Sequence, residues 1–158
     1  MPKPAVYLET TVISYLTAWP SRDIVRRSHE IITQNWWTGR DRFELYVSEL
    51  LVREISAGDP IAAADRLRAI DGIPLLPLTE AAIELAERLA DGLVLPARAR
   101  ADAVHIAIAA THGTLFLLTW NCRHLANAAL TAKIEQTCAS VGFVAPRIVT
   151  PEMLMESP

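Results

Sequence analysis

Short apolar runs alternate with helix-length segments along the whole chain, and that alternation constrains the fold more than any other feature. Ala5–Leu8, residues 43–47, 73–78 and 115–118, and Arg147–Val149 read as strands. The run 115–118 has no polar break, which suits a central parallel strand buried on both faces. Pro74 and Pro77 interrupt the third run, and proline cannot donate to a ladder, so that strand belongs at an edge. Helices are expected between the strands. One starts at Glu9-Thr10-Thr11 with a threonine supplying the N-cap oxygen, and another covers 22–37. A third is capped by Ser48 and stops near Gly58, and shorter ones cover 61–70, 79–92, 101–112 and 131–141. This order predicts a three-layer α/β domain, helices flanking a mostly parallel central sheet. No linker, repeat or low-complexity tract divides the 158 residues, so a single domain over 1–158 is expected.

Composition excludes several function classes. Net charge is −3, which rules out a strongly basic coat for gripping nucleic acid but leaves room for a local basic patch. Two cysteines, Cys122 and Cys138, are too few for a disulfide scaffold or a four-thiolate zinc site. No apolar run reaches the roughly 18 residues of a membrane span. Lys3 and Glu9 break up the first ten residues, so no signal-peptide core is present. A soluble, reduced, cytoplasmic protein without a membrane role is the expectation.

In an open parallel sheet, ligands sit beyond the carboxyl ends of the strands. Glu9 follows the first strand; Ser48, Glu49 and, further along the helix, Glu54 follow the second; Thr119-Trp120-Asn121 follow the fourth. Asp102 opens the alanine-rich helix leading into that fourth strand. Glu9 and Asp102 each interrupt an apolar neighbourhood, where a carboxylate costs several kcal/mol unless it is paired or binds a cation. Taken singly, each acid has an ordinary reading: Asp102 as a helix cap, Glu9 as a surface acid at a helix start, Glu54 as a solvated partner of an arginine. Taken together, three acids and an asparagine at strand ends form a hard-oxygen set of the kind Mg²⁺ or Mn²⁺ prefers.

Four segments carry a resemblance. Tyr7-Leu8-Glu9-Thr10-Thr11-Val12-Ile13-Ser14, Val47-Ser48 with Glu54-Ile55 six positions later, Asp102-Ala103-Val104-His105-Ile106-Ala107, and Leu118-Thr119-Trp120-Asn121 occur in the order of the PIN-domain nuclease motifs. From about Val6 to Pro151 the chain resembles the VapC-type toxins of toxin–antitoxin pairs. The resemblance implies a PIN-like three-layer fold and an Mg²⁺- or Mn²⁺-dependent ribonuclease. Glu9, Glu54 and Asp102 would be metal ligands, with Asn121 as a fourth catalytic position that ligates or orients a water. It further implies RNA as substrate, an antitoxin protein as partner and a homodimer. Two departures stand out: the first acid is commonly Asp and is Glu9 here, and the fourth position, often acidic, is Asn121. They keep open the alternative of a catalytically weakened PIN-fold protein that works by binding RNA or a protein partner.

Thr10 and Thr119, beside these acids, are expected to face the substrate. Arg98, Arg100, Arg123 and Lys133 give residues 95–133 a local net charge of +3, and the three arginines flank the acids as phosphate contacts would. They also suit a solvated rim. Asp102, His105 and His112 share helical spacing, but no cysteine pair or His-Glu motif supports zinc, and His105 among Ile106, Ala107 and Ile108 reads as a satisfied structural residue. Trp120 reads as core packing ahead of base stacking, and Trp19, Trp36 and Trp37 as core or interface anchors. No glycine-rich phosphate loop is present.

Overall fold

A computed structural model describes residues 2–155. Five strands form one parallel sheet: β1 (Ala5–Leu8), β2 (Glu44–Ser48), β3 (Leu75–Leu76), β4 (Phe116–Leu118) and β5 (Arg147–Val149). Their spatial order is β3-β2-β1-β4-β5, and every pairing is parallel. The helices are α1 (Thr10–Thr17), α2 (Ile24–Thr38), α3 (Glu49–Ile55), α4 (Pro60–Ala69), α5 (Glu80–Gly92), α6 (Arg100–Thr111) and α7 (Ala128–Ser140). Among the described residues, no helix is long and apolar enough to cross a membrane.

The pleat of β1 explains the three layers. Val6 and Leu8 point to one face and join Val12, Ile13, Trp36, Leu51 and Ile55. Tyr7 points to the other and joins Leu85, Leu89, Ile106 and Ile134. Helices α1, α2 and α3 therefore cover one face, and α5, α6 and α7 the other. Helix α6 lies against the sheet with α5 packed on it, and residues from His105 to Ala110 are all buried. That explains its alanine-rich, nearly non-amphipathic sequence.

Most expected elements form, with two instructive differences. The third strand is at the sheet edge but shrinks to Leu75–Leu76, the only two residues between Pro74 and Pro77. The N-cap of α1 is Glu9 and not a threonine: its side chain turns back and accepts the Thr11 N–H at 3.0 Å.

Candidate active site

The chain runs from β1 to β2 and β3 on one side, then crosses back to β4 on the other. The carboxyl ends of β1 and β4 therefore flank the point where the strand order reverses, which is where parallel sheets bind their ligands. Glu9 leaves β1 at this point, its N–H bonded to the Leu118 carbonyl at 3.0 Å. Thr119 and Asn121 leave β4 beside it.

Glu9 is 4% exposed. Its Oε1 accepts the hydroxyls of Thr11, at 2.6 Å, and Thr119, and its Oε2 accepts the Thr11 amide. One oxygen is thus filled, and the other keeps a lone pair free. Thr119 is fully buried. Its Oγ1 donates to Glu9 and accepts the Asn121 N–H at 2.9 Å, so it orients the site and presents no surface to a substrate. Thr11 ties the two strand ends together further by accepting the Trp120 N–H at 2.9 Å.

Glu54 lies in the last turn of α3 and is one-third exposed. Its Oε1 accepts the Thr10 hydroxyl and the His105 Nε2–H, both at 2.6 Å. Burial pushes this carboxyl up. The His105 hydrogen bond and charge, the Thr10 hydroxyl and Arg53 outweigh burial and hold it below the usual glutamate range. Thr10 is therefore engaged with Glu54.

Asp102 sits in the first turn of α6, but the N-cap there is Ala99, which has no side-chain cap. Asp102 is thus placed for something other than capping. Burial, and then the charge of Glu9, raise its carboxyl above the ordinary value; His105, His124 and a hydrogen bond with the Asn121 side chain pull it back less. Asn121 Oδ1 accepts the N–H groups of Arg123 and His124 at 3.2 and 3.0 Å, closing the loop after β4. Its carbonyl is thus occupied.

Glu54 is bonded to Thr10, the neighbour of Glu9, and Glu9 is joined through Thr119 to the Asn121 backbone, while Asp102 lies close enough to Glu9 to feel its charge. Among the described residues, neither Glu9 nor Asp102 has an ion-pair partner. No three His, Cys, Asp or Glu side chains there are drawn together as a finished metal cage. The donor set itself, three carboxylates with repulsion between two of them, suits a hard divalent cation, which would relieve that repulsion.

Arg98, Arg100 and Arg123 are exposed. Arg100 approaches Asp91 at 3.8 Å across a solvated gap. Trp120 is buried: it stacks on His29 with ring centroids 4.0 Å apart and donates to Thr33, as core packing requires. Trp36 is core, whereas Trp19 is 82% exposed. It borders a cleft of about 420 Å³ that also meets Thr11, Tyr15 and Arg26. His112 bonds to the Pro77 carbonyl, so the Asp102–His105–His112 spacing makes no zinc site.

The sequence reading left His105 and Tyr7 out of the site. Tyr7 Oη lies 2.6 Å from His105 Nδ1 and 2.7 Å from Ser48 Oγ. Burial holds the Tyr7 phenol well above its ordinary pKa, so it stays protonated. A histidine inside an alanine-isoleucine helix was the one available signal.

No family model matches the chain, and no curated protein does. Among solved structures, a chain in the crystal structure of VapBC2 from Rickettsia felis, bound to a DNA fragment from their promoter, has the same fold. The TM-score is 0.56 at 9% identity, over 92% of this chain and 98% of that one. The architecture is the three-layer α/β arrangement expected from the sequence, a parallel central sheet flanked by helices.

Proposed function

We propose that the protein is an Mg²⁺- or Mn²⁺-dependent endoribonuclease of VapC type, the toxin of a toxin–antitoxin pair. One observation supports the reading: Glu9 and Asp102, near enough for the charge of one to raise the carboxyl of the other, have no ion-pair partner among the described residues, and Glu54 is bonded to Thr10 next to Glu9. The fold shared with VapBC2 supports it.

Glu9, through Oε2, with Glu54 and Asp102 would hold the cation, which when bound activates water and offsets charge on phosphoryl oxygens. Thr11 and Thr119 keep Glu9 oriented. Arg98, Arg100 and Arg123 would contact RNA phosphates, and the exposed Trp19 offers a stacking face to a base. An antitoxin protein, a homodimer and a cytoplasmic setting complete the proposal.

The purified protein should cleave RNA with Mg²⁺ or Mn²⁺ and stop in EDTA, and Asp102→Asn should abolish cleavage. RNA cleavage that persists in EDTA would refute the metal reading. The engaged Asn121 carbonyl favours a second reading, a weakened enzyme that acts by binding. RNA retention without cleavage at any metal concentration would support it.

A further inference from the structure

A row of polar side chains runs through the core from the end of β2 to Glu54. Ser48 and Tyr7 are fully buried and His105 is 1% exposed. Polar groups buried this deeply cost stability unless every one of them is hydrogen-bonded. A phenylalanine at position 7 would fill the same space without that cost.

The proton order follows from counting donors. Ser48 Oγ accepts the Leu51 N–H at 3.2 Å, and its own hydroxyl has one acceptor in reach among the described residues, Tyr7 Oη, to which it donates. The phenol then donates to His105 Nδ1, and His105 donates through Nε2 to Glu54 Oε1. When the imidazole is neutral, its Nε2–H form is the one that gives each donor in this row an acceptor. The two donors to Glu54, His105 and Thr10, land on the same oxygen, Oε1. Oε2 accepts no hydrogen bond from the described residues.

We infer that His105, held by Tyr7 and Ser48, is a positioning residue: it fixes Glu54 through Oε1 and presents Oε2 to the cation. The inference rests on the metal-dependent reading for what Oε2 meets, but the hold on Glu54 does not depend on it. Glu54 needs such a hold, because it is a long, one-third-exposed side chain near the end of a seven-residue helix. Partners of this kind, behind a ligand, typically govern metal affinity about 10- to 100-fold.

The test uses the full chain and three substitutions. His105→Asn places an amide near Tyr7 but falls short of Glu54. His105→Gln reaches Glu54, and Tyr7→Phe removes the hold on the ring while leaving Glu54 untouched. Circular dichroism first confirms that each variant is folded. Mn²⁺ titration should then rank wild type tightest, His105→Gln next and His105→Asn weakest, the last by roughly tenfold or more. Tyr7→Phe should weaken Mn²⁺ by about threefold or more. A purely structural role would lower stability without moving the Mn²⁺ Kd of the folded protein.

Long-range ¹H–¹⁵N spectra of the metal-free protein supply a readout that needs no cation. His105 should carry its proton on Nε2 in wild type and lose that single form in Tyr7→Phe. A proton on Nδ1, or an unchanged Mn²⁺ Kd in folded variants, overturns the positioning role. A wild type that binds no Mn²⁺ while His105 keeps the Nε2–H form overturns the metal reading and leaves the hold on Glu54 standing.

Discussion

Replacing Glu9 by Asp tests whether the scaffold is built for the longer acid. The substitution draws the carboxylate back by one methylene, about 1.5 Å. Glu9 Oε1 now accepts two hydroxyls, from Thr11 at 2.6 Å and from Thr119. An O–H···O bond ends near 3 Å, so a retreat of that size breaks both unless the backbone follows. Each hydrogen bond to a charged group contributes about 1.5–3 kcal/mol. Glu9 is only 4% exposed, so water replaces them poorly. Asp caps helices well, and the Thr11 N–H bond can survive, which returns part of the loss. The net expectation is a destabilisation of about 2–4 kcal/mol, or a fall in Tm of roughly 5–15 °C for a chain of this size. Urea denaturation without metal, at neutral pH, measures it. The effect should shrink in a Thr119→Val background, where one of the two donors is already gone. RNA cleavage should fall by roughly tenfold or more, because misplacement on the order of 1 Å can cost about a hundredfold. Equal stability for Glu9→Asp, or faster cleavage, would mean that Glu9 is a decayed aspartate and that its three donors fit it by accident.

Further outcomes follow from the same geometry. Asp102→Asn should leave the metal-free protein equally or more stable near neutral pH, because Asp102 caps nothing and is repelled by Glu9; a loss of about 1 kcal/mol would restore the capping reading. A folded-state carboxyl raised above its ordinary 3.8 favours the fold most at low pH, so wild type should lose ground to Asp102→Asn as pH climbs through that region in paired melts. Glu54 has the opposite sign: its lowered carboxyl stabilises above the ordinary 4.5 and stops doing so as pH falls through the folded value. Glu54→Gln should therefore flatten the acid limb of the stability curve. Arg123→Ala should weaken RNA binding and reduce its salt slope by about one, as the loss of one phosphate contact does; an unchanged slope would return Arg123 to the solvated rim.

Local signals were legible in the sequence wherever chemistry and neighbours coincide. Prolines 74 and 77 marked an edge strand, the unbroken apolar run before Thr119 marked a central one, and Ser48 marked a helix start. The acids stand out in the sequence because strand ends are where a parallel sheet gathers its ligands. The internal wiring was not legible. Glutamate is a poor N-cap on its own, and Glu9 becomes one because hydroxyls at Thr11 and at Thr119, 110 positions away, curl it back. Tyr7 looked like ordinary strand filling, since its partner His105 lies 98 positions on. Thr10 and Thr119 read as substrate-facing residues, yet their hydroxyls are turned inward to the acids.

The gathering of Glu9, Glu54 and Asp102 around a cation is tested most directly by calorimetric titration of Mn²⁺ into the EDTA-treated, dialysed protein. Asp102→Asn is run beside it under identical conditions. Wild type should show saturable binding and a rise in Tm with added Mn²⁺, as a ligand specific to the folded state produces. Asp102→Asn should lose at least about tenfold in affinity, as expected when a charged ligand is neutralised in a hard-oxygen site. The absence of saturable Mn²⁺ binding to folded wild type, or equal binding by the two proteins, would contradict the cation site.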